Sequence, residues 1–336
     1  MGSALNYALN LISVAVGRRP SRPLLFSYYI THRCGLRCAY CSDGDGASFR
    51  EDVVDELSTE DAKRLVGMLA RSADTLDITG GEPLERDDIE EVLAHARHAG
   101  MATVLNTKGI GLESRKEIIG LANVLVLSVD SLDEDRLTAL TGNKTAARGI
   151  LDSLEYAVRM AADAGTALVL SAVATPANLD DVADVLGFAL ENRLGFHISP
   201  DITGRSVNTA LRDNPVYDRL MSKVLDAKKT RSGVLGVPEY LDGIRYFREF
   251  RCAPLLMPAI RPDGRLYYPC LEFKRADESV LERGGYEAAL TTARKSYGGI
   301  PDCSGRCHIF CHMGLTMFQA HPVSAMREDS RFAGRR

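Results

Sequence analysis

Residues 24–41 read LLFSYYITHRCGLRCAYC. The opening seven, aromatic and aliphatic, have the composition of a short buried strand (24–30). Cys34, Cys38 and Cys41 then crowd onto the loop that follows, in CxxxCxxC spacing. A closed metal site takes four protein ligands. Three thiolates on one loop can instead hold three irons of a cubane cluster, which leaves the fourth iron open to a small chelating molecule. The competing reading is a zinc site completed by a remote ligand. Zinc loops favour CxxC pairs, and His32 is too close in sequence to complete such a site comfortably.

Beyond this loop, short apolar runs alternate with longer helical patterns. Strands are predicted at "TLDIT" (75–79), "ATVLN" (102–106), "VLVLSVD" (124–130), "ALVLSAVA" (167–174) and "GFHIS" (195–199). Helices are predicted near 58–72, 86–99, 113–121, 145–164 and 178–192, the first opened by a capping box, "STED" at 58–61. The strands read as nearly continuous apolar runs, as when both faces are buried. Six βα units in succession predict an α/β fold, a partial (βα)6 TIM-like barrel with its functional groups at the carboxyl ends of the strands. "DITGGEP" closes the second strand with Gly80, Gly81, Glu82 and Pro83. Its glycines permit close backbone approach and leave carbonyls free to accept from an ammonium group. "LNTKG" and "LSVDS" close later strands with Asn106, Ser128 and Asp130, residue types that also serve as helix caps.

CxxxCxxC at the end of the first strand, with Tyr40 before its last cysteine, and Gly-Gly-Glu-Pro about 40 residues later together resemble the radical SAM superfamily. The resemblance implies that Cys34, Cys38 and Cys41 carry a catalytic [4Fe–4S] cluster whose remaining iron binds S-adenosyl-L-methionine. Reductive cleavage would then release methionine and a 5′-deoxyadenosyl radical. It further implies cofactor contacts from Tyr40, Gly80, Gly81, Glu82, Asn106 and Ser128. The Gly80–Glu82 segment would receive the methionine amino group; Asn106 and Ser128 would meet the ribose and carboxylate. Ser128 and Asp130 match a Ser-x-Asp pattern common among relatives.

The remaining cysteines lie far downstream. Cys252 and Cys270 flank "LLMPAIRPDGRLYYPC" (255–270), which reads as a β-hairpin turned at Pro262-Asp263-Gly264. Cys303, Cys307 and Cys311 follow in "CSGRCHIFC". Five thiols beyond the barrel resemble the SPASM and Twitch extensions of the superfamily, which hold auxiliary [4Fe–4S] clusters. A full SPASM pattern has about seven cysteines; five suffice for one cluster with one thiol over, so the Twitch layout fits better. Which of Cys303, Cys307 and Cys311 is spare is not decided by spacing. The spare thiol is either a hydrogen-atom donor, as in relatives that epimerise carbon centres, or an inert buried cysteine. His308 and His312 flank the last cysteine, as a ligand or as packed side chains.

The 336 residues divide into an amphipathic N-terminal helix (1–22), the barrel (23–205), a helical linker (206–250) with a helix near 214–233, an auxiliary-cluster domain (251–325) and a frayed tail (326–336). Net charge is −4 with dispersed Lys and Arg, which argues against a nucleic-acid partner. The long chain shows no basic leader, so its cysteines read as metal ligands of a cytoplasmic protein rather than as disulfides. "ALNYALNLISVAVGRR" sets Asn6, Asn10, Ser13 and Gly17 at helical spacing, leaving a wide apolar face followed by Arg18, Arg19 and Arg22. It is too short to span a bilayer. Residues 4–17 either pack across one end of the barrel or make a peripheral membrane contact.

The expected activity is hydrogen abstraction from a C–H bond of a small-molecule substrate of sugar, nucleoside or aminocyclitol type. Dehydrogenation, epimerisation or decarboxylation would follow, with flavodoxin or ferredoxin as electron donor. The alternatives are a peptide-modifying SPASM enzyme, a membrane-surface enzyme acting on a lipid, and an iron–sulfur electron carrier. Candidate substrate groups are Asp201, Arg205, Tyr267, Glu272 and Arg275.

Overall fold

The structure is a computed structural model that describes residues 2–41, 53–230 and 233–333. Six parallel strands lie side by side in chain order: β1 (Phe26–Thr31), β2 (Thr75–Gly80), β3 (Ala102–Thr107), β4 (Val124–Ser128), β5 (Ala167–Ala174) and β6 (Gly195–Pro200). The helix α1 (Ser3–Ala15) precedes them. Between strands run α2 (Thr59–Leu69), α3 (Ile89–His98), α4 (Glu117–Leu121), α5 (Glu134–Thr141), α6 (Lys144–Met160) and α7 (Leu179–Glu191). Sequential parallel neighbours joined by helices make a curled barrel-type sheet, not a doubly wound one.

Alternation along each strand fixes the two faces. Phe26, Tyr28, Ile30, Leu76, Ile78, Leu105, Leu125, Leu127, Leu170, Phe196 and Ile198 are buried in the principal hydrophobic core. Their neighbours on the opposite face are polar and partly accessible: Asp77, Asn106, Ser128, Ser171 and His197. The apolar runs therefore conceal a period-two pattern, with a helix-covered outer face and a polar inner one. Ser58 caps α2, its hydroxyl accepting from the Asp61 amide at 3.2 Å, as the capping box requires.

After β6 come a short antiparallel pair, β7 (Ile202–Thr203) with β8 (Ser206–Val207), then α8 (Pro215–Lys229) and α9 (Pro238–Arg245). The expected hairpin forms as β9 (Ala259–Ile260) and β10 (Arg265–Leu266), turned through Gly264 at φ +76°. It joins the same sheet: β9 pairs parallel with β1, and β11 (Glu278–Ser279) lies antiparallel to β10. The hairpin that leads to Cys270 is thereby placed beside β1, the strand that runs into the first cysteine loop. The helices α10 (Val280–Arg283), α11 (Tyr286–Tyr297), α12 (Phe310–Ala320) and α13 (Pro322–Ala333) complete the chain.

One expectation needs correction. The tail does not fray at residue 326, because α13 runs to Ala333 and Glu328 pairs with the buried Lys228 at 2.5 Å. The N-terminal helix forms, with its polar residues inward: Asn6 and Asn10 are buried.

Candidate functional site

The cysteine loop leaves β1 and is pinned from two sides. The Arg37 and Ala39 amides donate to the carbonyls of Thr141 (3.1 Å) and Leu140 (3.2 Å), and the Gly35 amide donates to the Glu85 carboxylate. Within the loop the Cys41 amide reaches the Cys38 carbonyl at 3.0 Å. Cys34 and Cys38 are half-buried and Cys41 is exposed. Burial pushes the Cys34 thiol up to about 11, so its thiolate needs a cationic partner to persist.

Gly80 and Gly81 are required by this loop. A Cβ on Gly80 would lie 2.2 Å from the Thr31 carbonyl oxygen, and one on Gly81 only 2.1 Å from that of Arg33. The Gly81 and Glu82 amides donate to those same two carbonyls, each at 2.8 Å. Gly80 also holds φ +137°, open to glycine alone at low cost. The pair latches the end of β2 onto the base of the cysteine loop.

The Glu82 carboxylate is buried and fully engaged. It accepts from the Leu84 amide (3.0 Å), the Lys108 amide (2.8 Å) and the Thr107 hydroxyl. Its pKa is raised, burial outweighing these hydrogen bonds. Tyr40 donates its hydroxyl to Asp130, while the Lys108 ammonium lies 2.9 Å from the phenol oxygen and 2.5 Å from Asp130. The other Asp130 oxygen accepts from the Val173 amide at 2.9 Å. One buried carboxylate thus ties the cysteine loop to the ends of β3, β4 and β5. Asn106 donates to Asp77, which also accepts from Ser27 at 2.9 Å; burial raises Asp77 to about 6. Ser128 stands opposite Ser171 on the inner face, and Ser171 meets Nδ1 of His197 at 3.1 Å.

Four of the five C-terminal thiols line one cleft: Cys252, Cys270, Cys303 and Cys307, together with Glu272 and His312. Burial raises Cys252, Cys270 (to about 12) and Cys307, and the neighbouring thiols raise each of them further. Four converging thiols in a dehydrated cleft are the donor set of a complete four-thiolate cluster. His312 Nδ1 is buried in that wall without a hydrogen-bond partner; His308 instead faces the Phe247 carbonyl at 3.2 Å. Cys311 is not in the cleft. The residue is exposed, yet its thiol lies near Tyr29, Asp77, Tyr240 and Glu272, so it lines the inner recess of the barrel. Its thiol is pushed up to about 12, chiefly by burial. Among the described residues no three His, Cys, Asp or Glu side chains are closed around a single metal ion.

Of the candidate substrate groups, Arg205 and Glu272 border the cleft, and Arg205 and Arg275 both stack on Phe273. Tyr267 packs edge-on against Tyr29 at 6.4 Å. Asp201 accepts from Asn208 at 2.9 Å beside β7 and β8. Lys108, Asp77 and His197 escaped the sequence reading. Lys108 and Asp77 sit within quoted strand ends, where inner-face alternation would have marked them.

A family model described as "Radical SAM superfamily" matches residues 28–189. The PqqA peptide cyclase of Rhizobium meliloti is 30% identical over 312 residues, covering 85% of this chain and 79% of that protein. This chain belongs to the radical SAM superfamily. The GTP 3′,8-cyclase of Rhodococcus opacus is 31% identical over 202 residues, 57% of this chain, and the match spans only 56% of that cyclase. Among solved structures, anSMEcpe with bound AdoMet and a Cp18Cys peptide superposes with a TM-score of 0.59 at 14% identity, covering 91% of this chain and 98% of that one. That likeness is one of fold: a partial barrel followed by a cysteine-bearing C-terminal region. As a radical SAM enzyme, the protein uses a [4Fe–4S] cluster and S-adenosylmethionine.

Proposed function

We propose that this radical SAM enzyme acts on a C–H bond of a peptide, with the loop thiols of Cys34, Cys38 and Cys41 holding the S-adenosylmethionine cluster and Cys252, Cys270, Cys303 and Cys307 holding one auxiliary [4Fe–4S] cluster. When bound, the first cluster supplies the single electron that cleaves the sulfonium of S-adenosylmethionine. The protein's own part is positional. Gly80 and Gly81 bring β2 against the cysteine loop, and Glu82 with Asp130 fixes the strand ends around it. Tyr40 anchors the loop through its hydroxyl, which Asp130 accepts. Asn106 and Ser128 line the inner face where the ribose and carboxylate would lie.

The observation that carries the peptide reading is the similarity to the PqqA peptide cyclase over 85% of the chain. A small hydroxylated substrate, nucleoside or sugar, is the second reading. It is favoured by the GTP 3′,8-cyclase similarity and by inner-face groups suited to hydroxyls: Asp77, Asn106, Ser171 and His197. Anaerobically reconstituted protein, reduced by dithionite or flavodoxin, should release 5′-deoxyadenosine. A randomised peptide library and a panel of GTP, nucleosides and aminocyclitols are then compared by stimulation of that release and by product mass. Stimulation by GTP or a sugar alone overturns the peptide reading; absence of 5′-deoxyadenosine under every condition overturns both.

A further inference from the structure

The helix α1 is docked by its polar edge. The Asn6 amide donates to the carbonyls of Pro23 (2.7 Å) and Ser72 (2.6 Å), and Asn10 exchanges hydrogen bonds with the backbone of Ser21 and Arg22. Ser3 donates to the Leu24 carbonyl, and Tyr7 to that of Phe318. Asn6 is 2% exposed and Asn10 0%, the reverse of an ordinary surface helix. The outward stripe is correspondingly apolar: Leu5 is 50% exposed, Ile12 61% and Val16 64%, at spacings of seven and four that share one face. The exposed Ala4, Ala8 and Ala15 fill the rest of that face. Three of the ten exposed large hydrophobics among the described residues, counting Val14, sit on this helix and Val16 ends it, so the exposure is concentrated rather than scattered. Val323 and Met326, at 57% and 64%, follow on α13, just beyond the Phe318 that meets Tyr7.

We propose that this face seats on an anionic lipid surface. Charge selects the occupant. Residues 1–22 contain no Asp or Glu, and the exposed Arg18, its amide on the Ser13 carbonyl, stands at the end of the apolar stripe in a chain of net charge −4, while Arg22 runs back beside Asn10 along the docked edge. Arg19 is turned away to the carbonyls of Ile300 and Pro301. At 13 residues, α1 is about 20 Å long. That is too short to cross a hydrocarbon core of about 30 Å but suited to lying in the headgroup layer with the flanking Arg18 on lipid phosphate. No helix among the described residues is long and apolar enough to cross a membrane. The buried asparagines pre-order the helix before it meets lipid, so little ordering entropy remains to oppose binding.

The test is co-sedimentation of the full chain with vesicles of pure phosphatidylcholine and of phosphatidylcholine with 30 mol% phosphatidylglycerol, about a third anionic lipid. Wild type should pellet with the anionic vesicles, at least about tenfold more than with neutral ones, and be released by high salt. The triple variant Leu5→Asp, Ile12→Asp, Val16→Asp should lower binding about tenfold or more, and Arg18→Glu should lower it severalfold, each with unchanged circular dichroism and iron content. Equal recovery of wild type and triple variant overturns the proposal. So does a wild-type dimer, by light scattering, that the triple variant converts to monomer without any vesicle binding, since a second copy then covers the face.

Discussion

Cys307 faces the four-thiol cleft, while Cys311, four residues further along, stands beside Asp77 and Tyr29 in the barrel recess. The start of α12 at Phe310 separates the two directions. Sequence spacing left Cys303, Cys307 and Cys311 equivalent; the geometry separates Cys311 from the others. Cys311→Ala should therefore retain about eight irons per chain after anaerobic reconstitution, as two cubanes require, whereas Cys307→Ala should fall towards about four. Loss of half the iron in the Cys311 variant would return it to the ligand set.

Glu82 is a structural clasp as much as a charge near the cofactor. Its replacement by alanine strips an acceptor from the buried amides of Leu84 and Lys108 and from the Thr107 hydroxyl. Each stranded buried donor costs about 1–3 kcal/mol. The cluster-free Glu82→Ala protein should lose about 2–4 kcal/mol in urea unfolding, before any cofactor is added. An unchanged midpoint would confine Glu82 to cofactor binding.

How far the sequence discloses this molecule depends on which force sets each feature. The six parallel strands were legible because β-rich apolar runs and capped helices are local signals, and "ALVLSAVA" coincides with β5, Ala167–Ala174. The Gly80–Gly81 requirement was legible as a need for close approach, but its cause was not: the glycines yield to the carbonyls of Thr31 and Arg33, about fifty residues upstream. Asn6 and Asn10 were legible as part of a polar helical stripe but not as its buried edge, because nothing local announces the carbonyls of Pro23, Ser72 and Arg22 that receive them. The short helix α5 passed unpredicted, its eight residues being mostly polar. Non-local contacts decide such cases, and periodicity cannot report them.

Asp77 gives the barrel interior a pH signature. Its carboxyl is raised from 3.8 to about 6 by burial, the hydrogen bonds from Ser27 and Asn106 only partly opposing this. The folded state therefore holds the proton more tightly than the unfolded chain. That contribution to stability is complete below about pH 4 and is lost as the pH rises through about 6. A two-unit shift corresponds to at most about 3 kcal/mol, reduced by the access of solvent to the recess. Asp77→Asn should gain on the wild type by up to that amount between pH 4 and pH 7 in urea unfolding. Parallel pH profiles for the two proteins would show that Asp77 is ionised throughout.

Lys228 and Glu328 bind α8 to α13 across a hundred residues of sequence. The ammonium, 3% exposed, lies 2.5 Å from the carboxylate and 2.7 Å from the Val234 carbonyl. A buried charge that loses its partner keeps its full desolvation cost, so Glu328→Ala should destabilise by about 3–5 kcal/mol. Removing both charges removes that cost as well. Lys228→Met with Glu328→Ala should then recover part of the loss, a coupling of about 2 kcal/mol or more in a double-mutant cycle. The same cycle reports on the end of the chain, because proteolysis within α13 should accelerate in Glu328→Ala and slow again in the double variant. Additive effects of the two substitutions would mean that α13 is held by its apolar contacts instead, with the ion pair a bystander.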